Sequence, residues 1–185
     1  MSHENLPPEL VAFFENAGKT LLIKGQPGCG KTLLALEILN RFQDHDLVYV
    51  STRVPVEWLK RQYPWMEKAR IVEADRLRLE DAQLGTMEYL MEQIIGSLHG
   101  LEKPLIVLDS WDAVANRVAS GERLKAESAL MSMIYASNGK AIFVAEEAVE
   151  TTLDYLVDGI VTLTRSMVAG GENDKRNRAG EAEGG

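Results

Sequence analysis

The run Gly25-Gln26-Pro27-Gly28-Cys29-Gly30-Lys31-Thr32 constrains this chain more than any other feature. It fits the spacing G-x-x-x-x-G-K-[ST]. Residues 20–24 (TLLIK) enter it as a short apolar strand. Residues 31–42, apolar at Leu33, Leu34, Leu36, Ile38 and Leu39, leave it as a helix with a broad buried face. A strand, a glycine-rich turn and a helix in this order make a cradle for phosphate. The backbone N–H groups of the turn converge into an anion nest, and the helix N-terminus adds the positive end of its dipole. Glycine at 25, 28 and 30 lets the backbone pass close to an anion or take positive φ. The candidate nucleotide-binding residues are therefore Gly25, Gln26, Pro27, Gly28, Cys29, Gly30, Lys31, Thr32 and Leu33. Lys31 is expected to reach the β- and γ-phosphates of ATP, and the Thr32 hydroxyl to ligate magnesium. Cys29 reads as a small residue tolerated in the turn, or as a thiol acidified by the helix N-terminus whose oxidation would block nucleotide.

The rest of the chain alternates strand and helix, the pattern of an α/β domain with a mostly parallel sheet. Residues 47–51 (LVYVS) read as a second strand, and Pro55 suits the first turn of a short helix running to Tyr63. Residues 71–73 suggest a small strand, and 81–98 a long helix. Residues 105–109 (LIVLD) form a nearly continuous apolar strand, so both faces should be buried. A helix over 122–137, a buried strand over 141–145 (AIFVA), a short helix over 151–157 and a last strand over 159–164 complete the pattern. Five apolar strands with helical crossovers imply a doubly wound, three-layer α/β/α domain over residues 1–168. From Ala169 the periodicity and the apolar residues stop, and 169–185 reads as a disordered tail.

Asp109 ends a hydrophobic strand about 75 residues after the loop, the Walker B arrangement, in which a carboxylate at the strand's edge holds magnesium beside Thr32. Asp112 is the second candidate, against a helix-cap or solvated role. Trp58, Trp65 and Trp111 read as packing anchors, and His3, His45 and His99, in no ligand spacing, as surface residues.

The formal net charge of −8 argues against a large nucleic-acid footprint. The single cysteine excludes an intrachain disulfide. The longest apolar runs fall far short of the ~20 residues a membrane span requires. The N-terminus has Glu4 and two prolines and no basic segment before an apolar one, which implies a cytoplasmic protein.

The segments GQPGCGKT, YVS, LIVLDS and AIFVAEE, followed by LDYLVDGIVTL, resemble the RecA superfamily over about residues 18–165, and within it the KaiC-like and RadA-like ATPases. Glu146 or Glu147, then Asp158 and Gly159, match the family's "E…ieyvaDGvi.L" segment. The resemblance implies that the strand 141–145 lies between the loop strand and the Walker B strand. It also implies ring or filament assembly, with nucleotide at subunit interfaces.

Three departures from the family pattern bear on function. Active members follow the second strand with a glutamate that polarises the attacking water. Here Tyr49-Val50-Ser51-Thr52-Arg53-Val54-Pro55 puts Arg53 at that place, and Glu57 is the next acid and the remaining candidate base. Similar replacements occur in the archaeal KaiC-like branch that includes the archaellum ATP-binding protein and the gas-vesicle regulator GvpD, which this chain resembles most. The glycine-rich stretch before the first strand is replaced by Leu6-Pro7-Pro8-Glu9-Leu10 and Phe13-Phe14. The family's ending, a strand pair closing in "GR.iRe…KLRG", is replaced by GENDKRNRAGEAEGG. Back-translated with free wobble bases and read one base on, that stretch gives GRMIREIGLEKLRG. The tail then reads alternatively as a frameshifted replacement of a final β-hairpin.

These features favour an ATP/ADP- and magnesium-binding protein that uses nucleotide as a regulatory or assembly switch, with slow or absent hydrolysis and an unassigned protein partner. The competing readings are a recombinase-type ATPase acting on DNA, which needs an acidic base and a basic surface, and a small-molecule kinase. The kinase would carry an arginine-rich lid, and Arg117 and Arg123 form no compact one. Arg117 and Arg165 are candidate arginine fingers, against a role as solvated surface residues.

Overall fold

A computed structural model describes residues 6–73, 86–116, 119–146 and 151–165. Its elements are α1 (Pro8–Glu15), β1 (Thr20–Gly25), α2 (Lys31–Arg41), β2 (Asp46–Ser51), α3 (Val56–Gln62), a 3-10 turn (Pro64–Lys68), β3 (Arg70–Glu73), α4 (Thr86–Leu98), β4 (Pro104–Asp109), α5 (Asp112–Ala115), α6 (Ser120–Ala136), β5 (Lys140–Glu146), α7 (Leu153–Leu156) and β6 (Gly159–Leu163). Six strands form one sheet in the order β3-β2-β4-β5-β1-β6. Every pairing is parallel. The strand 141–145 lies between the loop strand and the Walker B strand, as the family resemblance implied.

The alternation of side chains along each strand separates two cores. Leu22, Val48, Val50, Ile106, Leu108, Ala141 and Phe143 face one side, where Leu90, Ile94, Leu130 and Ile134 of α4 and α6 cover them. Leu21, Ile23, Leu47, Tyr49, Leu105, Val107, Ile142 and Val144 face the other side, under Phe14 of α1, Leu36 and Leu39 of α2, Leu59 of α3 and Met66. Central strands are buried on both faces, so β1 and β4 read as unbroken apolar runs. The outer strands β3 and β6 hold only half-buried and exposed residues and lack that signature.

Several elements differ from the sequence reading. The sixth strand is the small one at 70–73, on the sheet's edge. Helix α1 was not expected. Its signal is proline at the first helical position followed by Leu10 and Phe14 four apart, both buried. Helix α6 begins two residues earlier than predicted, and α7 is only four residues long. The predicted helix over 81–98 is seen from Thr86, and 81–85 and the tail 169–185 lie outside the described residues. Trp58 is 43% exposed and anchors no core, because Leu59 is the α3 residue that faces the sheet. His45 is not a surface residue. Its side chain is 11% exposed, and its Nε2 accepts a hydrogen bond from the buried Lys140 ammonium at 3.0 Å. Burial pushes the Lys140 pKa down.

Asp158 ties the two strands nearest the sheet's end. Its Oδ2 accepts the Thr20 N–H at 2.9 Å, the Thr20 hydroxyl at 2.7 Å and the Tyr135 hydroxyl at 3.2 Å, and Lys19 lies 3.7 Å from Oδ1. The Asp158 N–H in turn donates to the Thr20 carbonyl at 3.1 Å. Gly159 packs closely beside it: a Cβ there would come 3.1 Å from the Phe13 ring, which would have to give by a few tenths of an ångström. Burial raises the Asp158 pKa, but the Thr20, Tyr135 and Lys19 contacts outweigh it and hold the carboxyl below its usual 3.8. A depressed carboxylate pKa contributes stability that is present above the unfolded value and is lost as pH falls through the folded one. Asp158→Asn is expected to cost about 1–3 kcal/mol at pH 7, measured by urea unfolding. The deficit should shrink as pH drops below about 4. A deficit unchanged across that range would show that the carboxylate's charge is not its source.

Candidate nucleotide site at the strand ends

The C-terminal ends of β1, β4 and β5 open into the crevice where doubly wound sheets bind ligands. The loop between β1 and α2 lies there. Gly28 and Gly30 take φ of 77° and 98°, and Gly25 sits at 153°. Gly25 cannot carry a side chain, because a Cβ would come 2.4 Å from the Leu163 carbonyl oxygen and 2.7 Å from Cys29 Sγ. Lys31 is only 8% exposed, and its ammonium donates to the carbonyl of Gly25 at 2.5 Å and of Gln26 at 2.9 Å. The loop is thus wrapped around the lysine that the sequence assigns to phosphate. Thr32 is half-buried on the first turn of α2, next to the exposed Leu33. The residue set fits a polyphosphate: a buried cation, glycines whose positive φ shapes the turn, and an eleven-residue helix starting at Lys31.

Beneath the loop, Lys24 pairs with Asp154 at 2.6 Å, both largely buried. Asp154 also accepts the N–H and hydroxyl of Thr151 at 2.7 and 2.8 Å. Burial raises its pKa, and these contacts overcome that and leave it lowered. The pair fixes the last turn of β1 to α7.

Period two places Asp109 on the same sheet face as Leu105 and Val107, which is the face that α2 covers. Thr32 and Asp109 therefore belong to one layer, at the same end of the sheet. Asp109 is not left to solvent. The hydroxyl of the fully buried Tyr49 donates to its Oδ2 at 2.7 Å. Burial, and then the Asp109 charge, push the Tyr49 pKa well above its usual 10, so the phenol remains a donor. Sequence reasoning missed this contact, although Tyr49 stands in the strand quoted for the family resemblance.

The exits of β2 and β4 are stitched together. Thr52 donates its N–H to the Asp109 carbonyl at 2.9 Å, and its hydroxyl accepts the Ser110 N–H at 2.9 Å. The Ser51 hydroxyl closes the next turn through the Val54 carbonyl at 2.6 Å. This presents Arg53 at the mouth, where Nη1 meets Glu146 Oε1 at 2.7 Å. Glu57 is exposed on the first turn of α3, the helix that follows β2. Asp112 is half-buried and holds a strand rather than capping a helix. Its Oδ2 accepts the Glu146 N–H at 2.5 Å, and burial raises its pKa. Trp111 is a packing anchor, 1% exposed, and its Nε1–H donates to the buried Glu127 at 2.8 Å. Glu127 also takes Arg123 Nε–H at 2.8 Å and the Thr152 hydroxyl. Of the two candidate fingers, Arg165 borders the loop, its Nη2 lying 3.9 Å from where a Gly28 Cβ would be, and Arg117 lies outside the described residues.

Fold and loop together define a P-loop domain with a RecA-like α/β fold. A solved KaiC-like protein from Pyrococcus horikoshii shares the fold, with a TM-score of 0.61 and 17% identity over 80% of this chain and 72% of that one. Residues 10–179 match the family described as GvpD gas vesicle protein, P-loop domain, and the chain belongs to that family. Protein GvpD1 of Halobacterium salinarum is 31% identical over 177 residues, which cover 85% of this chain and 33% of the relative. Protein GvpD2 of the same organism is 28% identical over 187 residues, 88% of this chain and 37% of the relative. The chain spans about a third of the length of these curated relatives. No helix among the described residues is long and apolar enough to cross a membrane.

Tyr49→Phe removes the hydroxyl from Asp109 without changing the core's shape. It is expected to lower stability by about 1–2 kcal/mol, read from the urea midpoint at pH 7. A loss below about 0.5 kcal/mol would show that water replaces the phenol at no cost.

Proposed function

We infer that this domain binds ATP with magnesium as a regulatory or assembly switch and hydrolyses it slowly. The observation that carries this reading is Arg53. It stands where the family resemblance calls for a water-polarising glutamate, and its guanidinium pairs with Glu146 at 2.7 Å. A guanidinium is charged at every pH the fold survives and cannot accept a proton. Glu57 is exposed on α3 rather than at the strand end. The cradle supports the binding half of the reading. Lys31 and the loop N–H groups would hold the β- and γ-phosphates. Thr32 and Asp109 would hold magnesium jointly with phosphate oxygens and water, as a hard cation of that size prefers. Bound magnesium would neutralise charge between the phosphates. Ordering of the segments around the crevice by the third phosphate would be the switching step. Assembly into a ring or filament of like subunits, and an acidic surface unsuited to nucleic acid, belong to the same reading.

Single-turnover conversion of magnesium-bound ATP, with Lys31→Ala as blank, tests it. Tight binding with ADP formed far more slowly than the ~1 per second of a working ATPase is expected. Turnover at that rate or above, abolished in Lys31→Ala, would exclude a slow switch.

A further inference from the structure

Arg53 and Glu146 meet across a strand that belongs to neither. Arg53 leaves the end of β2, Glu146 ends β5, and β4 lies between them. Neighbouring strands stand about 4.8 Å apart, so the pair spans two strand intervals above Asp109 and Ser110. Glu146 is also the register partner of Gly25, the first residue of the phosphate loop, whose carbonyl receives the Lys31 ammonium. The ion pair therefore bridges β2 and β5 over the end of β4, one strand away from the phosphate loop.

The two partners differ in freedom. Glu146 is fixed through its backbone, with its N–H on Asp112 and its strand paired to β1. Among the described residues Arg53 is held by the turn at its base and by this pair, and its side chain is 55% exposed against 37% for Glu146. An ion pair this exposed favours the paired arrangement by no more than about fivefold. A guanidinium makes charge-assisted, bidentate contacts with carboxylate and phosphate alike, and a terminal phosphate offers it more negative charge and three acceptor oxygens. The loop N–H groups cradle the phosphates that di- and triphosphates share, and Lys31 reaches the β-phosphate in both, so the cradle alone discriminates weakly.

We propose that Arg53 is the residue by which this domain tells a nucleoside triphosphate from a diphosphate. When a third phosphate is present the guanidinium leaves Glu146 for the terminal phosphate oxygens, and when only two are present it stays on Glu146. Glu146 is thus the competitor that sets the threshold. The assignment rests on the nucleotide-binding reading above and names how that site discriminates.

Titration calorimetry of the full chain with magnesium and either ADP or a non-hydrolysable ATP analogue tests it. Arg53→Ala is expected to weaken the triphosphate analogue about tenfold and to change ADP by less than twofold. Glu146→Gln, which removes the competitor's charge, is expected to tighten the triphosphate analogue up to about fivefold, again with little effect on ADP. Equal changes for both nucleotides in Arg53→Ala, or none, overturn the assignment. Failure of the unaltered chain to bind either nucleotide overturns the binding reading itself. ADP binding that survives in all three proteins separates the two failures.

Discussion

A buried ammonium needs oxygen atoms around it, and the Lys31 ammonium finds them in the two carbonyls that open its own loop. That requirement shapes what surrounds it. The carbonyls of Gly25 and Gln26 turn inward only if the chain reverses sharply after β1, which the positive-φ glycines at 28 and 30 permit. The reversal in turn sets where α2 begins and which face of the sheet it covers. Below the loop, the Lys24–Asp154 pair locks the other side of β1 to α7. A cation above and a cation below thus fix the strand end that carries the cradle.

The second organising group is the carboxylate of Asp109. One side chain and one backbone carbonyl at this residue join three functions of the fold. The carbonyl takes Thr52 and so aligns the exit of β2, the carboxylate takes Tyr49, and the residue ends the strand that flanks the crevice. Arg53 owes its place to this stitching rather than to contacts of its own. The acids at the same edge do unlike work. Asp112 holds a backbone N–H, Glu146 holds a guanidinium, and Glu127 gathers Trp111, Arg123 and Thr152 in the core behind them.

The sequence made legible what local pattern encodes. Residues 20–24, 105–109 and 141–145 are apolar on both faces because they are central, and the place of 141–145 between the other two came only with the family resemblance. The loop was legible because its glycines and lysine have no other common use at that spacing. Edge strand β3 and helix α1 were faint or missed, since one buries little and the other borrows its stability from Phe42 and the sheet. Pairs far apart in the chain left no local trace. Tyr49 and Asp109 are 60 residues apart, Arg53 and Glu146 are 93, and Lys140 and His45 are 95. Asp112 was open to three readings because a carboxylate's partner depends on a strand that comes 34 residues later. The tail's two readings concern residues outside those described.

The sheet's two cores give the site an all-or-none character. Along β4, Leu105 and Val107 belong to one core and Ile106 and Leu108 to the other. A slip of β4 by a single residue would exchange the two sets and turn the Asp109 carboxylate away from Tyr49 and α2 toward α6. No intermediate offset exists in a strand whose side chains alternate. The accuracy of the crevice is therefore inherited from the packing of residues that never approach it, and the bulk of Leu, Ile and Val deep in the sheet acts as the ruler that places a carboxylate at its rim.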